Sequence, residues 1–253
     1  MNLEKQALPF SARTASDTGV LVLHGFTGTP ATVMPLGRSL DRAGYNVEVP
    51  CLAGHGRRWA DLNRLRYQDW LADAEKALAR LRARCSRVLA AGLSMGGALT
   101  LVLAQGHPDL AGIVLINPAV FLVPRWKTAL LPLFRRLWPS IESGPMDVKD
   151  PEVPRASYDR TPLEGLYQMT RLLKEARGKL ARVRQPALIF QSREDHVLPP
   201  RGAVYIFERI GSAQKELVWL DNSYHVATMD YDRELISDKT LAFIREIAGK
   251  EGP

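Results

Sequence analysis

The chain of 253 residues is long enough for one sizeable apolar core, and 46% hydrophobic with 24% charged residues describes an ordinary globular protein. No apolar run approaches the thickness of a bilayer, and the stretch from Met1 to Gln6 lacks the basic and apolar regions of a secretory leader. Cys51 and Cys85 are spaced neither for a disulfide framework nor for a metal, and the net charge of +7 comes from arginines without interleaved aromatics or a nucleic-acid motif.

These features lead us to expect a cytoplasmic protein with no metal, no organic cofactor and no nucleic-acid partner. The arginines read as solvated helix faces, with attraction toward an anionic lipid interface as the second reading.

In chain order, the residues up to about Asp17 predict an edge strand or two. Gly19 to Leu23 is a buried central strand by its β-branched and apolar content. It runs into His24-Gly25-Phe26-Thr27-Gly28-Thr29-Pro30, where Thr29 reads as an N-cap and Pro30 as the first helical position of a helix ending at Gly44. Tyr45 to Pro50 is the next strand, and its loop carries Gly54-His55-Gly56. A helix from about Tyr67 to Arg84 has a core stripe of Trp70, Leu71, Ala74, Leu78 and Leu81. Arg87 to Ala91 is again a strand, and good helix formers follow from Gly97 to Leu103. Further strands are predicted at Gly112–Asn117, Ala187–Gln191 and Glu216–Leu220. Strands alternating with helices at this spacing give a mostly parallel sheet covered on both faces.

Residues 118–178 break the rhythm. No strand is predicted there, and Phe121 to Trp138 is rich in Pro, Trp, Phe and Leu. The stretch exceeds what a crossover helix needs, so we read it as a cap inserted over the carboxyl ends of the strands. The core is then 1–117 with 179–253. An apolar cap flanked by arginines also suits transient contact with a lipid surface.

Chemistry enters at Gly92-Leu93-Ser94-Met95-Gly96. A G-x-S-x-G between a strand and a helix is a nucleophile elbow, which pushes the serine hydroxyl above the sheet. Side chains at the flanking positions would collide with backbone in so tight a turn, and glycine removes the collision. The fold of that motif places an acid after a late strand and a histidine after the last one. Asp195, beside Glu194, follows the strand at Ala187, and His225 follows the strand at Glu216, thirty residues on. Asp195 is preferred because neighbours in an extended loop point opposite ways. Glu194 is read as a surface pair, and Asp221 is the fallback. His24, His55 and His107 precede the acid, and His196 adjoins it. Ser94 is thus the expected nucleophile, His225 its base and Asp195 the orienting acid. The N–H groups of Phe26 and Met95 are the expected oxyanion donors, with His24 and His55 holding loops by hydrogen bonds.

With these residues in place the chain resembles bacterial carboxylesterases and, more closely, bacterial monoacylglycerol lipases of the α/β-hydrolase fold. The matching stretches are His24 to Pro30, Gly54-His55-Gly56, Gly92 to Gly97, Glu194 to Val197 and Asn222 to Thr228, with a further likeness at Tyr158-Asp159-Arg160-Thr161-Pro162. Phe121 to Trp138 departs from the pattern. The resemblance implies a serine hydrolase that releases fatty acid and glycerol from monoacylglycerols, needing no cofactor. It implies an apolar tunnel under the cap for the acyl chain and a polar pocket for glycerol. Asp159 is expected to accept a hydrogen bond from a glycerol hydroxyl, with His24 and Gly25 beside the substrate. The alternatives are a generalist carboxylesterase, a thioesterase or acyltransferase, and a non-catalytic binding protein on the same scaffold.

Overall fold

The computed structural model describes residues 3–122 and 125–249, with 125–129 described by backbone alone. Val123, Pro124 and the side chains of Arg125 and Trp126, part of the apolar half of the expected cap, lie outside the described residues. In chain order the strands are β1 (Phe10–Ala12), β2 (Thr18–Leu23), β3 (Asn46–Val49), β4 (Arg87–Leu93), β5 (Gly112–Ile116), β6 (Ser140–Glu142), β7 (Arg160–Pro162), β8 (Ala187–Ser192) and β9 (Lys215–Leu220). The helices are α1 (Leu3–Gln6), α2 (Met34–Arg42), α3 (Tyr67–Arg82), α4 (Met95–Gly106), α5 (Arg125–Leu137), α6 (Leu163–Gly178), α7 (Arg201–Arg209) and α8 (Arg233–Gly249).

Seven strands form one sheet in the order β1-β3-β2-β4-β5-β8-β9. Only β1 runs antiparallel, on the edge beside β3; the rest pair in parallel, as their helical crossovers require. Strands buried on both faces explain the unbroken apolar runs read from the sequence. Successive residues of β4 divide between two cores: Val88 and Ala90 join Leu78, Leu101 and Leu172 on one face, while Leu89, Ala91 and Leu93 join Leu40, Ile236 and Ile244 on the other. Each such aliphatic side chain, fully buried, contributes roughly 1.5–3 kcal/mol. Among the described residues, no helix is long and apolar enough to cross a membrane.

Two expectations are corrected. Thr29 takes the extended backbone of an N-cap, but its hydroxyl caps nothing; it donates to the Ala156 carbonyl at 3.3 Å, tying the first catalytic loop to the 118–178 segment. A 3-10 turn, Pro30–Val33, precedes α2. That segment also contains strands: β6 and β7 pair antiparallel, Ser140 opposite Pro162 and Glu142 opposite Arg160. Three-residue strands without a long alternating run leave no periodic signal.

The 118–178 segment is built in two ways. Around β6 and β7, Glu142, Ser143 and Thr161 line the same cavity as Ser94 and His225. In α6, by contrast, Met169, Leu172, Leu173 and Ala176 are buried in the same apolar cluster as α3 and α4.

Candidate active site

The turn from β4 into α4 is shaped by what its glycines lack. A Cβ on Gly92 would stand 2.2 Å from the carbonyl of Gly96, and one on Gly96 would stand 2.1 Å from the Leu23 oxygen. No backbone contact of that length is tolerated, so both positions require glycine. Between them Ser94 sits at φ 56° and ψ −114°, a conformation costing an L-residue about 1–3 kcal/mol. Its backbone is pinned: the Ser94 N–H donates to Ile116 O at 3.0 Å, and Ser94 O accepts from Ala98 and Ala119. The hydroxyl faces the cavity described below. Among the described residues no hydrogen bond reaches Ser94 Oγ, which leaves the hydroxyl open to the cavity.

His225 lies on the loop after β9 and Asp195 on the loop after β8. Asp195 Oδ2 stands 2.8 Å from His225 Nδ1, with the carboxylate fully buried and the ring nearly so. Asp195 Oδ1 accepts from the Val197 and Leu198 N–H groups at 2.9 and 2.8 Å. Burial pushes the Asp195 carboxyl up, but the His225 charge, its hydrogen bond and the two N–H groups outweigh burial, so the acid is held below its usual range. Asp195 is therefore a carboxylate, which favours the His225 proton on Nδ1 and leaves Nε2 as the acceptor nitrogen of a ring that lines the same cavity as Ser94.

The neighbouring candidates face elsewhere. Glu194 pairs with Lys149 at 3.2 Å, and Asp221 pairs with Arg193 at the surface, 2.7 Å apart. His107 pairs with Glu75 at 2.9 Å. His196 is exposed and pairs with Asp147 at 2.9 Å.

The loop after β2 carries Phe26, whose N–H is one of the two expected oxyanion donors. His24 is buried, and its Nε2 accepts from Leu52 N–H at 3.1 Å, so the ring proton resides on Nδ1 and donates to Gly25 O at 2.9 Å. Gly28 N–H reaches the same oxygen at 3.3 Å. The Gly25 carbonyl and the Phe26 N–H belong to one planar peptide and point opposite ways. Fixing the carbonyl thus fixes the opposed N–H as well, in a loop that adjoins Ser94: a Cβ on Gly25 would be 3.4 Å from Ser94 Cβ. Met95, the first residue of α4, has an N–H without an intrahelical acceptor. Burial lowers the His24 ring to about 4, and burial, with the neighbouring His24 second, lowers His55 to about 3. The two rings meet edge to face, 4.8 Å apart, with Phe26 and Trp70 packed against His55. Both imidazoles are neutral structural groups.

Ser94, His225, Gly25 and Phe26 line one cavity of about 410 Å³. Its apolar wall includes Leu93, Leu122, Leu166 and Met169, while Glu142, Ser143, Asp147 and Arg155 supply polar groups from the 118–178 segment. Tyr158 closes the floor: its hydroxyl donates to Gly54 O at 2.9 Å and its N–H to Thr27 O at 3.0 Å. Asp159, expected to contact glycerol, is exposed and is not among the side chains that line the cavity. Alternation along the chain explains this: Tyr158 turns inward, so the next side chain turns out.

Two residues of the site escaped the sequence reading. Asn117, fully buried at φ 42°, accepts Ser192 N–H at 2.7 Å and donates to His225 O at 2.7 Å. An Asn at the end of an apolar strand, before Pro118, was the available signal, since Asn tolerates positive φ. Asp147 had none. Among the described residues, no group of three or more His, Cys, Asp or Glu side chains is placed to hold a metal.

With this geometry in view, the chain was compared with known proteins. The family model described as serine aminopeptidase, S33, matches residues 14–232. A thermostable monoacylglycerol lipase from Bacillus sp. (strain H-257) is 44% identical over 248 residues, 96% of either chain. A carboxylesterase from Bacillus subtilis (strain 168) is 27% identical over 240 residues, 94% of this chain and 96% of that one. Among solved structures, one described under the metagenome-derived lipolytic enzymes LipS and LipT superposes with a TM-score of 0.92 at 42% identity, covering 95% of this chain and 98% of that one. A monoacylglycerol lipase from Paleococcus ferrophilus shares the fold, with a TM-score of 0.79 at 19% identity over 94% of this chain and 98% of that one.

Proposed function

This chain belongs to the serine aminopeptidase S33 family of α/β-hydrolase fold, and on that premise we propose that it hydrolyses monoacylglycerols to fatty acid and glycerol. It is a serine hydrolase of carboxylic esters. The finer substrate is carried by one observation: 44% identity, over nearly the whole of both chains, to a thermostable monoacylglycerol lipase. The cavity supports the reading, with apolar side chains for an acyl chain and Glu142, Ser143 and Arg155 as hydrogen-bonding groups for a polyol.

In this proposal Ser94 Oγ attacks the ester carbonyl carbon as His225 Nε2 takes its proton. The Phe26 and Met95 N–H groups hold the oxyanion, and their preorganised donation is worth about 3–4 kcal/mol per donor. Collapse expels the glycerol alkoxide, which takes the proton from His225. Water, deprotonated by His225, then attacks the acyl-enzyme, and the second collapse releases the acid as Ser94 Oγ takes the proton back from His225. Asp195 orients the ring and stabilises the imidazolium throughout.

Residues 118–178 serve as the cap in this scheme, and its outer apolar surface, with Leu133, Leu137 and Trp138 exposed, makes transient contact with lipid. The free thiols of Cys51 and Cys85 suit the cytoplasm, the setting we propose.

The test is hydrolysis of a mono-, di- and triacylglycerol and a methyl ester of one medium acyl chain, with Ser94→Ala as blank. Marked preference for the monoacyl substrate supports the proposal. Equal rates on glyceryl and methyl esters make the enzyme a general carboxylesterase instead.

A further inference from the structure

The acid and the base of the site stand on separate loops, beyond the reach of the sheet that carries them. The β8–β9 ladder ends at the pairing of Ser192 with Leu220, with one more bond from Arg193 N–H to Leu220 O at 3.0 Å. Asp195 lies three residues past that ladder and His225 five residues past it. Something else must set the 2.8 Å contact between them.

Asn117 and Asp147 hold these loops. At its carbonyl, His225 is held by Asn117 Nδ2 at 2.7 Å, from the core. At its N–H it is held by Asp147 Oδ2 at 3.1 Å, from the 118–178 segment. The same Asp147 oxygen accepts the His196 N–H at 3.1 Å, one residue after the acid, and Oδ1 meets the His196 ring at 2.9 Å. Asp147 O also accepts the Val226 N–H at 3.0 Å. One largely buried carboxylate thus spans both loops.

We propose that Asp147 is a positioning residue that sets the register of Asp195 against His225 by clasping the acid loop and the base loop together. Charge-assisted acceptance of two N–H groups by one oxygen fixes the loops more tightly than neutral contacts would. Because Met146 and Asp147 also line the cavity, the clasp joins the seating of the cap to the readiness of the site. The inference rests on the proposed roles of Asp195 and His225.

The test compares Asp147→Ala and Asp147→Asn in the full chain, on a water-soluble ester. Two readouts separate positioning from substrate contact: the split between kcat and KM, and the low-field proton signal of the His225–Asp195 hydrogen bond, identified by its loss in His225→Gln. Asp147→Ala is expected to lose about 10²-fold in kcat, the scale of a slight misplacement, with KM within about twofold and the signal gone. Asp147→Asn keeps an acceptor oxygen for the two N–H groups, so it should retain the signal and kcat to within about fivefold.

The inference is overturned by near wild-type kcat in Asp147→Ala, by equal losses in Ala and Asn, or by a change confined to KM. If the Ala variant does not fold, Asp147→Ser decides: a weakened signal with intermediate kcat supports the clasp, and wild-type kcat removes it. Ser94→Ala run alongside keeps the two readings apart, because turnover that survives there defeats the site assignment itself.

Discussion

His24 is a buried side chain that holds the loop of the proposed oxyanion donor without lining the cavity. Its ring proton, placed on Nδ1 by the Leu52 N–H at 3.1 Å, holds the Gly25 carbonyl and so aims the Phe26 N–H. His24→Phe keeps the ring volume and loses both hydrogen bonds. We expect kcat to fall about 10²-fold with KM little changed, the signature of a lost oxyanion donor; a KM effect alone would assign His24 to substrate binding. The same burial has a cost in acid. The folded chain keeps His24 neutral down to about 4 and His55 down to about 3, whereas the unfolded chain protonates both near 6.5. The unfolded state therefore binds more protons in that window, and stability falls as pH drops from 6.5 toward 4. For His24 the loss is about 3 kcal/mol. Urea unfolding between pH 7 and 4.5 checks this, and a flat stability over that range would refute it. Carboxylates such as Asp195, held below their usual range, add their own loss only below about pH 4.

At the scale of elements, the catalytic loops are organised by strands and stitched by carboxylates. Asp230 is fully buried, and its two oxygens accept four backbone N–H groups: Lys149 at 2.7 Å, Tyr224 at 2.9 Å, Asp150 at 3.0 Å and Tyr231 at 2.9 Å. It binds the 149–150 turn to the loop carrying His225. Asp230→Ala would leave those donors unpaired in the interior, and we expect a loss of at least about 3 kcal/mol, with activity falling in parallel as the loop loosens. A Tm within about 2 °C of wild type would contradict this. Such stitching marks where the sequence stopped being readable. The parallel strands were legible because burial on both faces leaves apolar runs, and the elbow because two glycines are demanded by contacts of 2.2 and 2.1 Å. Ser94, Asp195 and His225 follow from their order after strands. Asp147 and Asn117 are single polar residues whose partners lie far along the chain, and Asp230 ties its own loop to the distant 149–150 turn, so no local spacing betrays them. Asp159, exposed next to the buried Tyr158, stands just before β7, whose three-residue pairing with β6 leaves no periodic signal in the sequence.

For the molecule as a whole, the question is how a protein with a buried nucleophile meets a substrate that collects at interfaces. The exposed large apolar side chains concentrate on α5 and just beyond it: Leu130, Leu133, Phe134, Leu137, Trp138 and Ile141. In the proposed lipid contact, a net charge of +7 would draw such a surface toward anionic lipid. The apolar part and the charged part of that attraction respond differently to salt, since screening removes only the second. Vesicles of phosphatidylcholine with phosphatidylglycerol should therefore bind the enzyme more strongly than phosphatidylcholine alone, with the difference vanishing at high salt. Replacing Leu137 and Trp138 by serine removes apolar area that no part of the cavity uses. Partitioning should weaken at least about tenfold, while turnover of a water-soluble ester stays at the wild-type rate. Monoacylglycerol presented in vesicles would then be cleaved more slowly in proportion to the lost binding. Equal partitioning of the variant and the parent would mean that the α5 surface is not how the enzyme reaches lipid, and that substrate arrives as dispersed monomers through the cavity mouth.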